Sequence, residues 1–229
     1  TPASAAMHAV TLDHLSNGRL VLGIGVSGPQ VVEGWYGQPY PKPLARTREW
    51  VQIFRQVVAR QAPVAFDGDH YQLPYPGGTG LGKPLRLIMH PVRDHIPLYL
   101  GAEGPKNVAL GAELFEGWIP MFISPYRMRE QYKDALRIMA PQFEIAAAVP
   151  VVMDDDLDRA LAQVKQQVGF YVGGMGAKSY NVHKDHVSRM GFEAEANKIQ
   201  ELFLSGQRDQ AIAAVPDQLV DEISLCGPK

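Results

Sequence analysis

An α/β fold built on a parallel sheet is the fold class this sequence predicts, and three features predict it. Short apolar runs bounded by glycine or proline recur near residues 20–25, 97–101, 117–122, 144–152 and 222–226, as expected for strands covered on both faces. Segments with apolar residues at helical spacing lie between them, the pattern of helices packed on such a sheet. Glycine-rich turns follow the first two runs, at Gly25-Val26-Ser27-Gly28 and at Gly101-Ala102-Glu103-Gly104-Pro105-Lys106. A doubly wound sheet and a (β/α)8 barrel both bind ligands at that end of their strands. The residue pattern alone leaves both architectures open.

The chain opens on a helix, with Ala6, Met7, Val10 and His14 at helical spacing and Asn17-Gly18 as its stop signal. The strand at Leu20 to Ile24 follows. Gly25 and Gly28 are expected to supply left-handed backbone and close approach to a ligand. Gly23-x-Gly25-x-x-Gly28 also fits the dinucleotide fingerprint, but no clear helix follows Pro29 and no acid lies at the right distance. A loop through Pro43 leads to a helix from about Leu44 to Arg60, with Trp50, Ile53, Phe54 and Val57 as its apolar stripe. Residues 61–97 are broken by proline and glycine and read as a long loop insertion, with Asp67-Gly68-Asp69 turning between two short strand-like pieces.

Pro97 to Ala102 forms the next strand, and Pro105 is well placed at the first position of a helix reaching about Leu114. Strand, glycine turn and helix N-terminus together favour phosphate, through free N–H groups and the helix dipole. Gly117 to Phe122 is a third strand and Ser124-Pro125 starts a helix with Tyr132, Ala135, Leu136 and Met139 on its stripe. Phe143 to Met153 is a fourth strand. Asp154 to Asp156 open a helix whose dipole accommodates them. Gly173-Gly174-Met175-Gly176 then breaks that helix, either bordering a site or making a tight connection. His183 and His186 stand three apart on a helix and are expected to face solvent; neither they nor His70, Asp69 and Asp94 have metal-site spacing. Ala196, Ile199 and Phe203 mark one more helix, Ala211, Ile212 and Val215 a short one, and Glu222 to Cys226 a fifth strand.

The 229 residues suffice for one large α/β domain. A net charge of −2 and a pI near 6.4 offer no basic surface for nucleic acid or anionic membrane. The longest apolar run, Ile145 to Met153, is too short to span a bilayer and contains a proline. A lone cysteine, Cys226, has no internal partner, which suits the cytoplasm.

The run from Thr11 to Glu49, TLDHLSNGRLVLGIGVSGPQVVEGWYGQPYPKPLARTRE, together with LYLGAEGPKNVALGAELFEGW and YVGGMGAKSYN, resembles the luciferase-like oxidoreductases over nearly the whole chain. More narrowly it resembles the branch that uses the deazaflavin coenzyme F420. The resemblance implies a (β/α)8 TIM barrel in which the strand at Leu20 is the fourth and that at Glu222 the eighth. The first three βα units and the C-terminal end would then lie outside this single-domain segment, 1–229. It implies hydride transfer between coenzyme F420 and a small organic substrate, or, as the alternative, a monooxygenase using FMN or a non-catalytic flavin-binding relative. The cofactor-contacting residues it implies are Gly25, Val26, Ser27, Gly28, Gly101, Ala102, Glu103, Gly104, Pro105 and Lys106, with no metal. Relatives draw their general acid or base from an early strand, so no residue of this segment is assigned a catalytic role. Many relatives have Asp where Glu116 precedes Gly117-Trp118. The partner implied is a small-molecule substrate, with homo-oligomer formation left open.

Overall fold

The computed structural model describes residues 1–228. Helix α1, Pro2–Leu15, is capped by the Thr1 side chain and leads to strand β1, Leu22–Gly25. Helix α2, Pro29–Val32, is a single turn inside the expected loop, and α3, Pro43–Ala59, buries Val51, Ile53, Phe54, Val57 and Val58. The insertion holds a two-stranded antiparallel hairpin, β2, Phe66–Asp67, and β3, Gln72–Leu73, as the Asp-Gly-Asp turn predicts. Three Glu49 contacts fix that turn: its carboxylate accepts from the N–H groups of Asp69, His70 and Tyr71 at 2.9–3.0 Å.

Strand β4, Leu98–Gly101, helix α4, Pro105–Leu114, and strand β5, Gly117–Ile119, form the next unit. Helices α5, Met128–Gln131, and α6, Lys133–Ile138, precede β6, Glu144–Ile145. Strands β1, β4, β5 and β6 make one parallel sheet in that order, with Gly25 opposite Gly101 and Gly101 opposite Ile119.

The expected strand Phe143 to Met153 divides. Its first part is β6 on β5, and its last part, β7, Val151–Met153, pairs in parallel with β8, Leu225–Gly227. Backbone bonds continue the first ladder to Ala146 and start the second at Pro150. One extended run thus serves its two neighbours at different heights, the stagger that closing a sheet into a barrel demands. The expected strand at Glu222 is likewise corrected. Leu219, Val220 and Ile223 are buried on helix α11, Asp217–Ile223, and the strand begins only at Leu225. Apolar residues three and four apart outweigh the short apolar run there.

Helix α7, Leu157–Gly174, is capped by Asp156, which accepts from Arg159 N–H at 3.1 Å. Gly173 and Gly174 do not break it. They end it, and a Cβ on either would come within 2.6 Å of the Phe203 side chain, so these glycines admit a packed ring. Helix α8, Val182–Val187, runs through a π-type turn, Ser188–Phe192, into α9, Glu193–Leu204, and then α10, Arg208–Ala213.

Two apolar cores result. One joins β1, β4 and β5 to α1, α3 and α4 and holds Phe54, Leu98, Leu100 and Trp118. The other joins α7 to α9, α10 and α11 and includes Val168, Ile199, Leu219 and Phe122.

Glu116 staples the first core's sheet. Its Oε2 accepts from Leu98 N–H at 2.8 Å, and its Oε1 takes the Arg55 guanidinium at 2.8 Å and His95 Nε2 at 3.3 Å. Glu116→Ala leaves the Leu98 N–H unpaired at the start of a central strand, a loss of about 1–2 kcal/mol. The melting temperature is expected to fall by about 2–4 °C per kcal/mol. An unchanged melting temperature would show that β4 is held without it.

Candidate functional site at the C-terminal strand ends

The two glycine turns are neighbours. Gly25 and Gly101 are register partners at the ends of β1 and β4, and a Cβ at Gly25 would lie 3.7 Å from the Gly101 carbonyl oxygen. Parallel strands carry both turns to the same end of the sheet, where α/β folds bind ligands. In the first turn the left-handed residue is Ser27, with φ of 58°. The sequence expectation assigned that freedom to the glycines, but Gly28 is extended at φ −130°. The glycines there serve close approach instead. Tyr40 braces the turn by donating to the Ser27 carbonyl at 2.9 Å. Burial, and then the nearby Tyr180 phenol, push the Tyr40 hydroxyl up to about 12, so it remains a donor at neutral pH.

In the second turn Ala102 is buried, and its carbonyl accepts from Trp118 Nε1 at 2.8 Å. Gly104 sits at the N-cap of α4 with no side-chain cap, and Pro105 has no N–H to offer. The N–H groups of Gly104 and Lys106 have no partner among the described residues. A Cβ on Gly104 would meet nothing within 4 Å. The space over this turn is therefore open, beside free donors and the positive end of a ten-residue helix. Lys106 lies on the outer side of that helix, along a cleft with Leu44, Arg48 and Glu113. Arg48 and Glu113 pair there at 2.6 Å.

Glu103 turns inward, toward the second core. Its carbonyl accepts from the Tyr132 hydroxyl at 2.8 Å and from Arg189 at 3.1 Å. Its carboxylate Oε1 meets His183 Nδ1 at 2.8 Å. Tyr132 also touches His186 Nδ1 at 3.2 Å, and His186 Nε2 reaches the Phe122 carbonyl at the same distance. Burial keeps His186 neutral by lowering its pKa, and it pushes the Tyr132 hydroxyl up to about 12. A neutral imidazole then donates from Nε2 to Phe122, and the Tyr132 proton is shared between Glu103 O and His186 Nδ1. Phe122 itself has φ of 53°, a left-handed conformation that a bulky residue adopts only under constraint.

Both histidines correct the expectation of solvent exposure. His186 is 1% exposed, and the His183 side chain 17%. Nothing in their spacing pointed to this, because the partners Glu103 and Phe122 lie more than sixty residues away. The only local signal was Asn181, which caps α8 by accepting from His183 N–H and Lys184 N–H, both at 3.0 Å. Among the described residues no group of three or more His, Cys, Asp or Glu is arranged to hold a metal, and no helix is long and apolar enough to cross a membrane.

The chain is 52% identical, over 99% of its length, to a Mycobacterium tuberculosis protein provisionally named coenzyme F420-dependent oxidoreductase Rv3520c, of which it covers 68%. It is 30% identical over the same share to the 5,10-methylenetetrahydromethanopterin reductase of Archaeoglobus fulgidus, covering 66% of that protein. The chain thus spans about two thirds of the length of these relatives. Among solved structures, an F420-dependent secondary alcohol dehydrogenase in complex with an F420-acetone adduct superposes on all of the chain with a TM-score of 0.70 at 19% identity, covering 62% of that structure. The coenzyme F420-dependent tetrahydromethanopterin reductase of Methanopyrus kandleri superposes on 99% of it with a TM-score of 0.66 at 24% identity, covering 67% of that structure. These two likenesses carry the fold, a luciferase-like barrel. The sequence profile of the luciferase-like monooxygenases matches residues 1–229 from end to end, and the chain belongs to that family of enzymes.

Proposed function

We propose that the complete protein is an oxidoreductase that binds coenzyme F420 and exchanges a hydride between it and a small organic substrate. The 52% identity to a coenzyme F420-dependent oxidoreductase across 99% of the chain carries this reading. The paired glycine turns agree with it. Gly25 and Gly101 remove side chains where two strand ends meet, and Gly104 leaves room over free N–H donors. Bound there, the deazaflavin supplies a carbon that accepts or gives up a hydride. The chain's own contribution is binding and orientation. The N–H groups of Gly104 and Lys106 would meet the phosphate, and Val26, Ser27 and Gly28 would line the first wall beside Ala102 and Glu103. Tyr40 keeps the Ser27 carbonyl engaged, and Trp118 keeps the Ala102 carbonyl engaged, so one carbonyl of each turn is already paired.

Fluorescence titration of the complete protein with coenzyme F420 and with FMN tests the proposal. Saturable binding of F420, with FMN much weaker, is the expected result. Preference for FMN would replace this reading by a flavin-dependent monooxygenase on the same fold.

A further inference from the structure

Two donors meet at the Glu103 carbonyl. Tyr132, at the junction of α5 and α6, gives its hydroxyl at 2.8 Å, and Arg189, in the π-type turn between α8 and α9, gives Nη2 at 3.1 Å. The preceding carbonyl, that of Ala102, takes Trp118 Nε1. Trp118 and Tyr132 are themselves a buried edge-to-face pair, with ring centroids 4.8 Å apart at 67°. That packing does not need the Tyr132 hydroxyl, because a phenylalanine ring fills the same place. A buried hydroxyl is costly unless it is bonded, and both neighbours of this one are acceptors. They are the Glu103 carbonyl and, at 3.2 Å, His186 Nδ1. His186 spends its N–H on the Phe122 carbonyl, which leaves Nδ1 with a lone pair toward Tyr132. The hydroxyl is thus placed from behind and spent on the turn.

The consequence falls on the next residue. The Glu103–Gly104 peptide is trans, and in a planar trans peptide the C=O and the N–H point in opposite directions. With the Glu103 carbonyl drawn inward, the Gly104 N–H is turned the other way. It has no partner among the described residues, and a Cβ on Gly104 would meet nothing within 4 Å on its side of the turn. Covalent structure alone does not fix this direction. Glycine tolerates both signs of φ, and reversing the peptide before a glycine is the ordinary difference between type I and type II turns. A reversed peptide would show a carbonyl oxygen to the space where the N–H now stands, and that oxygen would repel an anion. Two donors on one carbonyl hold the direction that glycine leaves free.

We infer that Tyr132 is a positioning residue for the coenzyme: with Arg189 it holds the Glu103 carbonyl inward and so aims the Gly104 N–H at the phosphate. The inference rests on the proposed binding of F420. Tyr132 itself touches no coenzyme atom and acts through the peptide.

The test uses Tyr132→Phe in the complete protein, which keeps the ring and removes the donor. Coenzyme F420 affinity, read by fluorescence, is expected to fall roughly 2- to 10-fold, the worth of one hydrogen bond. Arg189→Ala, at an exposed side chain, keeps the test open if Tyr132→Phe lowers the melting temperature. Because the two donors share one carbonyl, the double variant is expected to lose more than the product of the single losses. A merely structural role would weaken binding in any background. In Gly104→Val, where the N–H is already covered, adding Tyr132→Phe is expected to change the affinity no further. A readout without coenzyme is the peptide itself. Labelling with carbonyl-¹³C glutamate and ¹⁵N glycine selects Glu-Gly pairs, of which this chain has three, at Glu33, Glu103 and Glu116. The Glu103–Gly104 resonance, identified by its absence in Gly104→Val, is expected to shift in Tyr132→Phe while that of Glu33–Gly34 stays.

Unchanged F420 affinity in the double variant would overturn the inference. So would a loss from Tyr132→Phe that persists in full in the Gly104→Val background, or a Glu103–Gly104 resonance that does not move. Failure of the unaltered protein to bind F420 would sink the proposed function, whereas an unmoved resonance in the coenzyme-free protein sinks this inference alone, so the two failures are distinguishable.

Discussion

Asp13→Ala is expected to destabilise the protein by about 3 kcal/mol, well beyond the cost of Glu116→Ala. Asp13 is 1% exposed on α1. Its Oδ1 accepts from the Leu20 N–H at 3.1 Å and from Arg93 Nη2 at 2.8 Å, and its Oδ2 accepts from Arg93 Nε at 3.0 Å. Arg93 also donates to the Leu20 carbonyl at 2.5 Å. The pair therefore ties α1, the chain just before β1 and the end of the insertion together. Alanine leaves the Leu20 N–H and the guanidinium without their acceptor. The Arg93 side chain is 30% exposed and regains some water, which places the cost at the low end for a broken buried pair. Against a typical total of about 5–15 kcal/mol, that is a large share. Thermal unfolding should show a fall of roughly 6–12 °C for a chain of this size. A fall of only a degree or two would mean that Arg93 finds another acceptor.

The same pair sets an acid limb. The Arg93 guanidinium is the largest influence on Asp13 and, with the Leu20 N–H, holds its carboxyl below the usual value despite burial. A folded pKa below the unfolded one means that the unfolded chain binds the proton more readily. The stabilisation is complete above the unfolded value, about 3.9, and is lost as pH falls through the folded value. Glu222, lowered first by Arg127, adds to the same limb. Comparing the unaltered protein with Asp13→Asn, the stability gap is expected to narrow below about pH 4.

The fold was legible where local chemistry and tertiary packing agree. Glycine-bounded runs gave β1, β4 and β5 because strands of a parallel sheet are apolar throughout; β4 and β5 bury theirs, while β1 is the edge strand and stays half-exposed. Pro105 after Gly104 gave the start of α4. The sequence misled where an apolar run serves a helix. Leu219, Val220 and Ile223 on α11 follow a Pro216-Asp217 start, a signal masked by the strand-like Ile223-Ser224-Leu225-Cys226 behind it. Residues 144–153 were readable as extended but not as split, because the split is a property of two neighbours at different heights. The site was half legible. Glycine patterns located both turns, yet the inward face of the second depends on Glu103, Tyr132, His183 and Arg189, which only the folded chain brings together. Polar partners so far apart leave no periodicity to read.

Gly104→Val is expected to weaken coenzyme binding by roughly 10- to 150-fold while leaving the fold intact. Two facts about the position separate these effects. Its φ of −73° and ψ of 135° are ordinary for valine, and a Cβ there meets no protein atom within 4 Å. Stability should change by about 1 kcal/mol or less, the difference between glycine and a β-branched residue at an N-cap. The same empty space is where a phosphate must come to reach the N–H groups of Gly104 and Lys106. A valine side chain fills it. Loss of one charged hydrogen bond of this kind is worth about 1.5–3 kcal/mol, or roughly a 10- to 150-fold weaker Kd. Lys106→Ala should cost less, because that side chain is exposed along the α3–α4 cleft, and its effect should shrink with added salt as screening sets in. Fluorescence titration of coenzyme F420 into both variants of the complete protein, beside their melting curves, decides the matter. Unchanged affinity in Gly104→Val at an unchanged melting temperature would remove this turn from the coenzyme site, whatever the family likeness.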